Sequence, residues 1–211
     1  MKLRTIAIVL TIALASAAAR AQSGVYVTFN AQQFTQEGFY ADPAHTTTGP
    51  HSNVDRPWLL GAGYGVYYDI TRIPSLFFIK GGPLKTGPVV IGIDGRGETL
   101  RRSEYGSTLN RQDGLVSLRI ATKKPFMHST PYIQGGFGIG HTKIPFATNY
   151  KNNLIYQFGL GVDRKIHNRI DWRIVEATAG FLGDYTVGFT PIANQSNYMV
   201  TLGTGLVFRI K

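Results

Sequence analysis

The sequence predicts an all-β protein, an eight-stranded antiparallel up-and-down transmembrane β-barrel, on three observations. It opens with an export leader, it is rich in glycine and free of cysteine, and eight of its segments alternate apolar and polar residues with period two.

Lys2 and Arg4 precede an apolar run from Ile6 to about Ala19, and Ala19-Arg20-Ala21 follows as an A-x-A cleavage site. The run is shorter than the roughly 20 residues a helix needs to span a bilayer. Residues 1–21 therefore read as a cleaved signal peptide and residues 22–211 as the barrel domain, with the mature chain starting near Gln22. No later stretch is apolar over spanning length, so any crossing elements are strands. The formal charge of +10 falls to +7 without Lys2, Arg4 and Arg20. Without cysteine, no disulfide stabilises the chain. Its 25 glycines in 211 residues exceed the usual share of about 7% and favour turns and unusual strands over helices.

The strands follow in order. Residues 24–33 set Val25, Val27, Phe29 and Ala31 against Tyr26, Thr28, Asn30 and Gln32. Residues 58–70 set Trp58, Leu60, Ala62, Tyr64, Val66, Tyr68 and Ile70 against Gly61, Gly63, Gly65 and Asp69. In 89–99, Val89, Ile91 and Ile93 oppose Gly92, Asp94, Arg96 and Glu98; in 114–121, Val116, Leu118 and Ile120 oppose Ser117, Arg119 and Ala121. Residues 132–142 contain "PYIQGGFGIGHT" in large part, and place Ile133, Phe137 and Ile139 opposite Gly136, Gly138 and Gly140. That glycine run is no nucleotide loop: the third fingerprint position is His141, and no Gly-Lys-Ser/Thr follows. Its glycines read as space-making positions facing larger inward side chains such as arginine. In 154–163, Leu154, Tyr156, Phe158, Leu160 and Val162 oppose Gln157, Gly159, Gly161 and Asp163. The seventh strand, 169–180, has Ile170, Trp172 and Ile174 on its apolar side, and a bulge is needed to return Glu176 to the polar side. The eighth, 198–210, sets Tyr198, Val200, Leu202, Leu206, Phe208 and Ile210 against Thr201, Gly203, Gly205 and Arg209.

A soluble sandwich also alternates, but its exposed face is densely charged, whereas these polar faces are mainly Gly, Ser, Thr and Gln. Aromatics such as Trp58, Tyr68, Tyr156, Trp172, Tyr198 and Phe208 lie toward strand ends, as in interfacial girdles. The outer loops are expected at 34–57, 102–113, 143–152 and 181–197, and the inner turns at 71–87, 122–131 and 164–168. Leu76–Lys80 within the first inner turn has no assignment.

With the leader and eight strands in place, "GPVVIGIDGRGE", "IDWRIVEA" and "YMVTLGTGLVFRI" resemble the small outer-membrane β-barrel proteins, the OmpA/OmpX-like outer-membrane β-barrel domain group. The resemblance spans essentially all of the mature chain. It implies a Gram-negative outer membrane as the location, inward Arg and Glu on strands three and seven, and a terminal strand read by the barrel-assembly machinery. The chain departs from the family's terminal signal in carrying Arg209, Ile210 and Lys211 after Phe208.

Asp94, Arg96 and Glu98, spaced by two, project from one strand face. With Arg119, Arg173 and Glu176 they form a candidate charge network inside the barrel, either a structural plug or the lining of a polar path. Arg101, Arg102 and Arg111 flank the second outer loop and are candidate contacts for lipopolysaccharide phosphates, or simply a solvated loop. No catalytic constellation stands out. His51 and Ser52 are adjacent in a long loop, and His141 lies on the lipid-facing parity without a serine nearby on its strand. His45, His51, His128, His141 and His167 show no metal-ligand spacing, and no metal or cofactor is expected. The basic residues are scattered, against nucleic-acid binding. The expected function is a monomeric, non-enzymatic outer-membrane barrel with a structural or surface-interaction role and a plugged polar lumen. Its partners would be membrane lipid and lipopolysaccharide. The alternatives are a narrow porin-like channel for ions or small solutes and a lipid A-modifying barrel enzyme.

Overall fold

The computed structural model describes residues 23–34, 58–73, 89–104, 107–122, 128–143, 150–184 and 197–210. The signal-peptide segment, His45, His51, Ser52 and Leu76–Lys80 lie outside the described residues.

Eight strands follow one another: β1 (Ser23–Phe34), β2 (Trp58–Ile73), β3 (Val89–Glu104), β4 (Ser107–Thr122), β5 (Ser129–Lys143), β6 (Tyr150–Lys165), β7 (Ile170–Asp184) and β8 (Asn197–Ile210). Each pairs antiparallel with the next, and β1 closes the ring on β8 from Ser23↔Ile210 to Phe34↔Met199. Closure leaves no sheet edge, so the ladder backbone is satisfied without water. β3 and β4 reach well beyond their expected ends. Their register continues to Glu104↔Ser107, leaving only residues 105–106 where a loop over 102–113 was expected. The extension escapes a period-two reading because Thr99, Arg101 and Ser103 on β3, and Thr108, Asn110 and Gln112 on β4, replace the apolar outward face with polar residues while the inward face mixes Leu100 and Leu109 with Arg102 and Arg111.

The partition of side chains is inverted relative to a soluble protein. Phe137 is 61% and Ile139 70% exposed on the outside, while Asp94 and Arg173 are 0% exposed inside. Outward apolar residues recur on all eight strands, from Val27 and Phe29 on β1 to Leu206 and Phe208 on β8.

Three register shifts occur. One interrupts β2–β3 between Asp69 and Thr71. The other two coincide on β7: Asp163 pairs with Arg173 but Val162 with Val175, and on the β8 side the register slips between Arg173 and Glu176. This irregularity carries Glu176 inward beside Arg173, which strict alternation would have placed on opposite faces.

Candidate functional site inside the barrel

The interior has two layers. Toward the end where β1 begins and β8 ends it is ionic and aromatic; toward the other end an aliphatic cluster is interspersed with buried polar side chains.

In the ionic layer, the Tyr26 hydroxyl on β1 donates to Asp94 Oδ1 at 2.7 Å. Arg96, two residues along β3, lies 3.6 Å from Asp94 and 3.6 Å from Glu98, and donates to Glu176 on β7. Glu176 also accepts from the Tyr132 hydroxyl of β5, and its Oε2 lies 3.0 Å from Arg173 Nη1. Arg173 Nε donates to Asp163 Oδ1 at 3.0 Å, and Arg119 Nη2 donates to Asp163 Oδ2 at 3.0 Å. The arginines are also stacked on tyrosine rings. Arg173 lies 4.2 Å from the Tyr26 centroid, and Arg119 lies 4.5 Å from that of Tyr67 and 4.3 Å from that of Tyr132. Such contacts stabilise a desolvated guanidinium by up to about 2 kcal/mol. At the mouth, Arg209 Nε donates to Asp171 Oδ2 at 2.6 Å.

All six residues expected in the interior network, Asp94, Arg96, Glu98, Arg119, Arg173 and Glu176, therefore point inward and are joined in one set. Sequence reasoning omitted Asp163, the carboxylate that links Arg119 to Arg173, although its polar parity on the sixth strand was visible. The ring contributions of Tyr26, Tyr67 and Tyr132 depend on which strands face each other, and carry no local signal.

The other layer gathers Leu59, Leu100, Leu109, Leu115, Ile155, Leu182 and Met199 into one buried cluster. Within it, Arg111 bonds Asp113 through Nε at 3.0 Å and donates from Nη1 to Thr142 Oγ1 at 3.3 Å. Gln32 Nε2 donates to Thr201 Oγ1 at 3.1 Å. Arg111 was expected beside an outer loop as a contact for lipopolysaccharide phosphates, and that placement is corrected: it is fully buried. The physical cause is the extension of β4, which puts Arg111 on the same face as Asp113, Leu115 and Arg119. Arg101 is exposed on the outside and donates from Nε to Asn110 Oδ1 at 2.9 Å, and Arg102 is half-buried near the end of β3.

Glycines make room for these side chains. A Cβ at Gly140 would lie 2.6 Å from Arg111 Nη2, and one at Gly161 would overlap the Tyr132 ring. Outside the barrel, His141 Nδ1 lies 2.5 Å from Asn152 Oδ1. Among the described residues, no group of three or more His, Asp or Glu side chains is placed to share a metal ion.

No protein-family profile matches the sequence, and neither does any curated protein. Solved structures do match. Neisserial surface protein A aligns with a TM-score of 0.59 at 6% identity, over 89% of this chain and 97% of that one. Ail, the attachment invasion locus protein of Yersinia pestis, crystallised with the heparin analogue sucrose octasulfate, aligns with a TM-score of 0.51 at 11% identity, over 90% of this chain and 99% of that one. At such identities the likeness speaks to architecture alone: this chain has the fold of the small eight-stranded outer-membrane β-barrels.

Proposed function

We infer that this chain is exported, cleaved before Gln22 and inserted into the outer membrane as a monomeric barrel with a structural or surface-interaction role and a closed lumen. The observation that carries this reading is the inverted partition, with apolar side chains on the outside of every strand and arginine–carboxylate pairs inside. Exposed in water, that exterior would be an apolar patch far larger than a soluble monomer tolerates; facing lipid, it is the stabilising surface. Two unlike layers support closure. Arg96 bonds Glu176 across the axis, Arg119 and Arg173 share Asp163, and the aliphatic cluster from Leu59 to Met199 packs beyond them.

The reading includes no catalytic role, no cofactor and no nucleic-acid partner. The terminal strand serves as the signal for the barrel-assembly machinery. Refolded protein reconstituted in planar bilayers tests the closed lumen: no discrete openings are expected, and reproducible single-channel currents would establish the narrow-pore alternative instead.

A further inference from the structure

The outside of β3–β5 differs from the rest of the apolar belt. Cross-strand register aligns Thr99, Gln112, His141 and Asn152 in one outward row running from β3 to β6. Two residues farther from the end where β1 begins, Arg101, Asn110 and Lys143 align in a second row. Thr99, Arg101, Asn110, Gln112, His141 and Lys143 together line a recess of about 250 Å³. On β2 the partner of Arg101 is still apolar, Leu60, so the polar patch is a notch in the belt and not part of a uniform rim.

Directly below, on the membrane side, the next outward row is Gly97, Gly114, Ile139 and Leu154. A Cβ at Gly114 would meet nothing within 4 Å, and Gly95 is nearly as open. The Tyr64 ring overlies Gly97 and bounds the depression on the β2 side. A shallow depression floored by Gly95 and Gly114, between the Tyr64 ring and Ile139, thus runs into a cationic, hydrogen-bonding recess. The rows of Gly97 and Arg101 are four residues apart, roughly 13 Å along the strand at about 3.3 Å per residue.

We propose that this face binds a phosphorylated glycolipid of the outer leaflet. Arg101 and Lys143 hold one phosphate, Thr99, Asn110, Gln112 and His141 hydrogen-bond the sugar's hydroxyl and amide groups, and one acyl chain lies over the open backbone at Gly95 and Gly114, beside the Tyr64 ring. Charge complementarity selects the phosphate, since both charged side chains that line the recess are cations. The neighbouring depression selects a lipid over a soluble anion. The site rests on the outer-membrane reading.

Native mass spectrometry of the full mature protein, refolded in detergent, tests it with diphosphorylated lipid A, its dephosphorylated form and phosphatidylglycerol. Diphosphorylated lipid A is expected to bind at least tenfold more tightly than either of the others. R101A/K143A is expected to lose that preference and R101K/K143R to keep it, while Gly114→Leu weakens binding several-fold by filling the depression. These side chains face outward, so each variant should retain the heat-dependent gel shift of a folded barrel. Equal binding of the three lipids, or an undiminished preference in R101A/K143A, overturns the site alone. A wild-type protein that fails to insert into vesicles overturns the outer-membrane reading and the site with it.

Discussion

Arg96 on β3 and Glu176 on β7 bond to each other across the barrel axis, from strands four apart in a ring of eight. Both are buried, so neither can recover its hydration when the other is removed. Glu176→Gln should therefore destabilise the barrel by about 3 kcal/mol, at the low end for a broken buried pair because Asp94 and Glu98 still face Arg96. Urea unfolding in lipid vesicles measures this. A loss below 0.5 kcal/mol, on the scale of about 0–1 kcal/mol typical of surface pairs, would mean that water fills the lumen around the pair.

Arg119 and Arg173 share Asp163, so their contributions should not add. In a cycle of Arg119→Ala and Asp163→Ala, the coupling energy is expected at about 1–3 kcal/mol, the range for residues within one ionic network. Additive single losses would remove Asp163 from its linking role.

Two glycines one register step apart should respond in opposite ways. Gly114→Ala adds a methyl group to open space on the outside, whereas at Gly138 the same methyl overlaps the Gly114 carbonyl and sits 2.8 Å from the Leu115 Cα. The first is expected to be neutral. The second should cost about 1–3 kcal/mol, as overpacking against backbone does. Equal unfolding midpoints for the two variants would contradict the close strand approach.

The limits of the apolar belt can be mapped with arginine. Phe137→Arg is expected to cost about 2–4 kcal/mol, as a lipid-facing charge near the bilayer midplane does, and Thr99→Arg only about 0–1 kcal/mol near the interface. If the two substitutions cost the same, the polar notch on β3–β5 lies at a different depth.

The proposed closure by two layers predicts that opening one is not enough. R96A/E176A removes the central ionic bridge but leaves Leu59, Leu100, Leu115, Ile155 and Met199 in place. Bilayer recordings should remain silent for this variant, and channel openings would assign closure to the ionic layer alone.

All eight strands were legible in the sequence because lipid on one side and a narrow lumen on the other impose alternation on each residue independently. The inward direction of Arg96, Arg119 and Arg173 followed from parity, and the need for a bulge before Glu176 followed from its breaking that parity. The ends of β3 and β4 were not legible. Once a strand leaves the apolar belt, its outward face turns polar while its inward face mixes leucine and arginine, and the period disappears, which is how Arg111 was placed beside a loop when it lies within the barrel. The apolar interior cluster was missed for a related reason: a single Leu or Ile on a polar face, such as Leu100 or Ile155, reads as noise until several strands bring their exceptions together.

The sequence by itself therefore determined strand number, facing and the inverted partition, because alternation is a local property with period two. Only the tertiary structure decided that Arg96 meets Glu176, that Asp163 joins two arginines, and that Thr99, Gln112 and His141 stand in one outward row. Those pairings depend on register and on closure of β1 against β8, and no stretch of chain records which residue will face it from a strand many residues away.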